Sequence, residues 1–199
     1  MLCAASPFFE AACKPEWQRT SECVITLPED DPKVVTILLN WVYENVIRIA
    51  ALDLAWDASL NCASGLLLKL YVLGDKYQMP ALQNDVIDAL EGFVLRSEGY
   101  GWQIMNYAFK ETSETDPLRL FLVNFAISDW SPDKLESYKT HLCPEFAHSM
   151  AVELLKRTST PKAVDFYRGI YQGTFCTLFH RHESTLKAKC NSLKKWMFF

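Results

Sequence analysis

The chain has 199 residues, half of them hydrophobic, with a formal net charge of −4 and an isoelectric point near 5.6. That is enough apolar material for one cored domain, or for a small domain with a helical extension, and it excludes disorder as the default reading. An acidic balance argues against a phosphate-binding surface, which needs clustered Lys and Arg; the one basic cluster, at Lys187, Lys189, Lys194 and Lys195, reads as a solvated tail.

Residues 1–13 are expected to be part of a helix, with Phe8 and Phe9 in a core or an interface. Residues 23–27, Cys-Val-Ile-Thr-Leu closed by Pro28, alternate β-branched residues with others and predict one short strand. Asp31 before Pro32 is a helix start: the carboxylate can accept from the first orphan N–H groups, and proline lacks an N–H that would go unpaired at that position anyway. The acidic run Glu29, Asp30 and Asp31 is accordingly read as a helix N-terminus rather than a paired-carboxylate site. Val34, Val35, Leu38, Trp41 and Val42 then recur at three and four residues, so one face must be buried and the helix ends near Asn45. Trp41 and Tyr43 lie two apart and face different ways, one anchoring the core and the other free for a partner.

Residues 46–52 predict a short strand or extended connector, and residues 53–64 a loop that lays Trp56 on the surface. A second helix begins near Ser64 or Leu66, with Leu66, Leu70, Leu73 and Tyr77 on one stripe, and stops at Met79 before Pro80. Asp75, Lys76 and Tyr77 are expected at a solvated edge. Pro80 opens a third helix whose apolar stripe is Leu82, Val86, Leu90 and Phe93, with Gln83, Asn84, Asp85, Asp88 and Glu91 on the other face. The two helices should form an antiparallel hairpin joined by a tight turn.

Composition changes at residues 98–101, Glu-Gly-Tyr-Gly, which predict a boundary, and residues 110–115 predict a polar loop. Asp116-Pro117 and Ser131-Pro132 repeat the capping device of Asp31-Pro32. Leu118, Phe121, Val123, Phe125 and Ile127 predict an apolar helix up to Trp130. Residues 132–141 predict a shorter helix, and residues 144–157 another that carries Phe146, Met150, Leu154 and Leu155. From Thr158 the periodicity dissolves, and residues 166–179 are aromatic without a clear period.

Residues 2–9 (Leu-Cys-Ala-Ala-Ser-Pro-Phe-Phe), the turn 27–32 (Leu-Pro-Glu-Asp-Asp-Pro), residues 39–43 (Leu-Asn-Trp-Val-Tyr) and residues 68–80 (Leu-Lys-Leu-Tyr-Val-Leu-Gly-Asp-Lys-Tyr-Gln-Met-Pro) follow one another in an order and spacing that resembles the BTB/POZ family, in particular its fungal branch. The resemblance covers residues 1–97. It implies an α+β, mostly helical fold, with helical hairpins and a small residual sheet over residues 1–97; the residue patterns beyond it read as an all-helical extension over 98–160 and an aromatic, basic tail over 161–199. The family pattern places two strands and a helix start ahead of Leu2, so the reading is a domain lacking its first strands, with lowered solubility and exposed apolar surface. The resemblance also implies a protein-interaction module that forms a homodimer through its first helix, here Leu2, Ser6, Phe8 and Phe9. In many relatives it presents partners to a cullin-type ubiquitin ligase scaffold or to transcriptional regulators. The cullin-facing surface corresponds to the segment with Tyr43, Glu44 and Ile47 and to the hairpin.

Seven cysteines, an odd number at irregular intervals, read as free thiols in a reducing compartment, and neither a signal peptide nor an uninterrupted apolar run of about 18 residues is present. A cytoplasmic or nuclear protein without a membrane span follows. Gly99-Tyr100-Gly101 lacks the third glycine and the strand of a dinucleotide loop, and no phosphate loop, Gly-x-Ser-x-Gly elbow or His-Glu-x-x-His occurs. The sequence from Cys176 through His180 and His182 to Cys190 holds zinc-ligand types. Its spacing, Cys-x3-His-x-His-x7-Cys, departs from paired Cys2His2 sites, and the two histidines share a side only if the chain is extended there. No catalytic, cofactor or metal residue is assigned, and function is expected to lie in surfaces: a non-enzymatic interaction module first, a cullin adaptor second, a zinc-dependent or thiol enzyme a distant third.

Overall fold

The computed structural model describes residues 1–14, 16, 24–49, 60, 62–94, 100–159 and 175–182. Expectations that fall on Cys23, Trp56 and residues 50–59, the side chain of Phe93, residues 95–99, Phe166, the lysine cluster at 187–195 and Cys190 lie outside them. Ten helices run through the described residues: α1 (Leu2–Ala5), α2 (Pro7–Ala12), α3 (Pro32–Glu44), α4 (Ala63–Lys76), α5 (Pro80–Val94), α6 (Trp102–Glu111), α7 (Pro117–Asp129), α8 (Pro132–Tyr138), α9 (Pro144–Ser159) and α10 (Phe175–Phe179).

Proline punctuates the chain as expected. Ser6, Asp31, Asp116 and Ser131 each precede an N1 proline, and their side-chain oxygens accept from the N–H groups of Phe9 (3.2 Å), Lys33 (3.0 Å), Leu118 (2.9 Å) and Lys134 (3.2 Å). The same device corrects the first expected helix. Ser6 is extended (φ −149°, ψ 123°), because a residue before proline is pushed out of the helical region, so residues 1–13 are two short helices rather than one.

No strand forms among the described residues, which corrects the expected residual sheet. Residues 24–27 and 46–49 nevertheless behave as strand sequences do. Ile25 and Leu27 pack on the core while Val24 and Thr26 are exposed, and Ile47 and Ile49 are buried while Arg48 is not. Alternation sets which side chains face inward. A ladder needs a second backbone in register, and no described residue supplies one.

The hairpin of α4 and α5 is the centre of the molecule. Leu66, Leu70, Leu73 and Tyr77 are all buried, as are Leu82, Val86 and Leu90. The turn closes through Gln78 in the left-handed region (φ 56°), with the Met79 N–H donating to Gly74 O at 2.7 Å. Close approach requires glycine at residue 65, where a Cβ would lie 2.4 Å from Leu60 O; at Gly74 a Cβ would be tight, 3.1 Å from Gln83 Cγ. Two expectations are corrected here. Tyr77 is core rather than solvated edge, its ring 4.7 Å from that of Phe9. The polar face of α5 is largely buried, Asn84 and Asp88 beneath Arg181 and His180, and Gln83 against Gly74 and Asp75 of α4.

Beyond the hairpin, α6 is a helix that the reading of residues 98–115 did not separate; Ile104, Met105, Ala108 and Phe109 are its buried face. Arg119 satisfies its last carbonyls, donating to Phe109 O at 2.5 Å and to Thr112 O, with its guanidinium 4.7 Å from the Phe109 ring. Helix α7 is buried over Leu118 and Phe121 to Ala126. On α9, Phe146 and Met150 enter the core, whereas Leu154 and Leu155 are exposed. Helix α9 continues through Thr158 to Ser159, and α10 gives the aromatic tail a helical register: Phe175 and Phe179, four residues apart, both set their ring edges against Phe121. One cluster of buried side chains runs from Phe9 through the hairpin to Phe146 and Phe179.

The two Asp-Pro starts provide a controlled pair. Asp31 is partly exposed and adds a 3.3 Å contact to Lys69, whereas buried Asp116 also accepts from Tyr71 Oη at 2.8 Å and from Arg181 Nη2 at 2.6 Å. In chemical denaturation, Asp31→Ala is expected to cost about 1 kcal/mol, the loss of one cap. Asp116→Ala is expected to cost about 3 kcal/mol, because it leaves the Tyr71 phenol without its acceptor and removes one of the two carboxylates that hold Arg181.

Asp30 joins the turn before α3 to the end of α4, accepting from Lys76 Nζ at 2.8 Å and from the Tyr77 hydroxyl. Burial raises its carboxyl, but the bonds from Lys76 and Tyr77 outweigh that and hold it below the ordinary value of 3.8. A carboxyl depressed in the folded state stabilises above its unfolded value, and that contribution is lost as pH falls through the folded one. Asp30→Asn is therefore expected to lose less thermal stability than the native chain on acidification below about pH 4, measured as melting temperature against pH.

Candidate functional site

The residues singled out in the sequence divide into a supporting layer and a surface. Ser6 is buried: its hydroxyl donates to Tyr77 O at 2.6 Å while capping α2, so the first helices are bolted to the end of α4. Phe9 is buried beneath them, and Leu2 is half-buried against the same core. Phe8 sits on the outside, 39% exposed, with its ring 4.8 Å from Tyr77.

Phe8, Ala11 and Ala12 of α2 face Val24, Ile25 and Thr26 across an open groove of about 380 Å3. Val24 is 70% exposed at its edge. This groove joins an apolar helix flank to an extended backbone that no described residue pairs. An extended backbone left open in this way can accept an added strand. The alternation in residues 24–27 was visible in the sequence; that Val24 would be the outward member depends on which side the core lies.

The second candidate patch is the end of α3. Trp41 turns inward and donates from Nε1 to Asp85 Oδ2 at 2.8 Å, while Tyr43 is 62% exposed. Glu44 pairs with Arg48 at 2.6 Å, both half exposed, a contact worth little in water. Asn45 ends the helix in the left-handed conformation, with its N–H bonded to Trp41 O, and turns the chain so that Ile47 is buried. Tyr43 and Glu44 thus offer side chains to a partner, and Ile47 holds the backbone beneath them.

The third set lies at the C-terminal end. His180 is buried with Nε2 2.7 Å from Asp88 Oδ1. Asn84 grips Arg181 on both backbone groups, accepting from its N–H at 2.7 Å and donating to its O at 2.8 Å. Asp75 and Asp116 take the Arg181 guanidinium at 2.9 and 2.6 Å. Residues 180–182 follow α10 outside regular secondary structure, and Cys176 Sγ lies 2.9 Å from His182 Nε2. Cys176, His180 and His182 are thereby brought together, with Cys190 outside the described residues. The signal for this docking was Asn84 and Asp88, four apart on one face of α5. Polar spacing alone reads as a solvated face, so it passed unrecognised.

Helix α5 also carries Glu91, whose carboxyl burial and the neighbouring Asp88 push up to about 7, with His180 opposing. Among the described residues no helix is long and apolar enough to cross a membrane.

Comparison with curated proteins finds no match, and neither does comparison with solved structures. Residues 1–93 match the family model described as BTB/POZ domain. That span ends within α5 and takes in the capped helices α2 and α3 and the α4–α5 hairpin, the elements on which both candidate patches stand. Residues 1–93, just under half of the chain, therefore match the BTB/POZ domain, a protein–protein interaction module.

Proposed function

We propose that the chain is a non-enzymatic interaction module of the cytoplasm or nucleus that forms a homodimer through its N-terminal surface and recruits a further protein. One observation carries the reading: the groove between α2 and residues 24–26, where exposed Phe8 and Val24 flank an extended edge that lacks a partner strand among the described residues. A second copy would cover both at once, burying the two side chains and supplying hydrogen-bond partners to the edge. Residues 98–160 act in this reading as a helical extension behind the interaction domain, and residues 161–199 as a tail of which 175–182 is docked. Nucleic acid and membrane have no part in it, and no cofactor is required.

A second reading, adaptor for a cullin-type ubiquitin ligase scaffold, is favoured by the exposure of Leu39 and Tyr43, one helical turn apart on α3. It uses a different patch, so the two readings separate by mutation.

Light scattering behind size exclusion tests both. The native chain is expected to run as a dimer, and Phe8→Asp with Val24→Asp to run as a monomer with unchanged far-ultraviolet circular dichroism. A monomeric native chain at micromolar concentration would overturn the dimer. Mixed with the N-terminal domain of a cullin scaffold, the native chain is expected to move to a larger complex and Tyr43→Asp to lose it while remaining a dimer. If the native dimer forms no complex, the adaptor reading fails and the general module stands.

A further inference from the structure

We propose that Cys176, His180 and His182 form a binding site for a zinc ion that fastens residues 175–182 to the α4–α5 hairpin. The three side chains can each offer one ligand atom, and these atoms all lie within 4.8 Å of one another. Tetrahedral zinc with one thiolate and imidazole nitrogens sets the sulfur about 3.5 Å from each nitrogen, from bond lengths of roughly 2.3 and 2.0–2.1 Å. Cys176 Sγ and His182 Nε2 are 2.9 Å apart, so the pair needs to open by less than an ångström to admit the ion.

The backbone presents the set. The His180 N–H donates to Cys176 O at 3.1 Å, which puts the two residues one helical turn apart on the same side. The chain then leaves the helix, and Asn84 clamps the intervening Arg181 on both its N–H and its carbonyl. The Arg181 guanidinium is drawn away to Asp75 and Asp116, so it does not compete as a cation at the cluster. Phe175 and Phe179 anchor the helix that carries Cys176 on Phe121.

A carboxylate stands behind the buried ligand. Asp88 Oδ1 lies 2.7 Å from His180 Nε2, with the two side chains 7% and 0% exposed. Metal-bound histidines donate their second ring nitrogen to such a group, which sets the tautomer and leaves the other nitrogen for the ion. One thiolate and one carboxylate balance the ion's two charges, and exposed His182 with half-buried Cys176 leaves an entry path. Three ligands among the described residues leave one tetrahedral position for water or a further side chain. The site is independent of both interaction patches.

Cobalt and zinc titration of the full chain, purified with reductant and stripped with chelator, tests this. One cobalt per chain is expected, with a thiolate-to-cobalt charge-transfer band that one equivalent of zinc abolishes, and with a raised melting temperature. Cys176→Ser should remove the band, and His182→Ala, at an exposed position, should weaken binding at least about tenfold with unchanged circular dichroism. Asp88→Asn should weaken it by about 10- to 100-fold, the effect of losing a carboxylate behind a ligand. Cys143→Ser should change nothing. A native chain that gives no charge-transfer band, or a band that survives both Cys176→Ser and His182→Ala, would overturn the site and leave a Cys–His hydrogen bond in its place.

Discussion

Buried polar side chains have to be paired, and the polar stripe of α5 is where this chain meets that constraint. Asp85 takes the Trp41 indole, Asn84 takes both backbone groups of Arg181, and Asp88 takes His180. A buried polar group left without a partner costs about 1–3 kcal/mol. These partners lie 44, 97 and 92 residues away in sequence, so satisfying one helix draws α3 and the C-terminal segment onto the hairpin together. Apolar packing alone would have allowed several placements of residues 175–182. The amide clamp at Asn84 selects one, because it demands a donor and an acceptor at a fixed separation.

The same economy recurs away from α5. Asn106 receives the Cys143 N–H at 2.8 Å and donates to His141 O at 2.6 Å, holding the loop before α9 as Asn84 holds Arg181. Asp116 serves as a helix cap, a phenol acceptor and an anchor for Arg181, and so ties α7 to α4 and to the tail. Ser6 caps α2 and reaches the end of α4 with the other side of its hydroxyl. Asp116 and Ser6 are short polar residues at element boundaries, where backbone groups are unpaired and a side chain can bridge two elements, and Asn106 does the same from within α6.

These anchors explain why the surfaces sit where they do. The first helices are fixed through Ser6 and Phe9, which leaves Phe8 outward beside the extended edge at Val24. The α3 end is fixed through Trp41 and Ile47, which leaves Tyr43 outward. In both places a buried neighbour two to four residues away makes an exposed aromatic unavoidable. The exposed positions of Phe8 and Tyr43 therefore follow from local anchoring on α2 and α3.

What the amino-acid sequence determined by itself was local: the proline-capped helix starts at Asp31, Asp116 and Ser131, the hairpin turn before Pro80, the inward stripes of α4 and α5, and the family motifs spread over the first half. These are readable because capping, proline geometry and periodicity act within a few residues. The break at Ser6, the absence of a ladder at residues 24–27 among the described residues, the burial of Tyr77 and the occupation of the polar face of α5 were decided only by tertiary structure. Alternation says that one side of residues 24–27 is covered, but not that a second backbone is present to pair with it. A polar helical face reads the same whether water or another segment lies against it. The sequence held both Asn84 with Asp88 and Cys176 with the two histidines, but only a fold that brings positions some 90 residues apart into contact could join them.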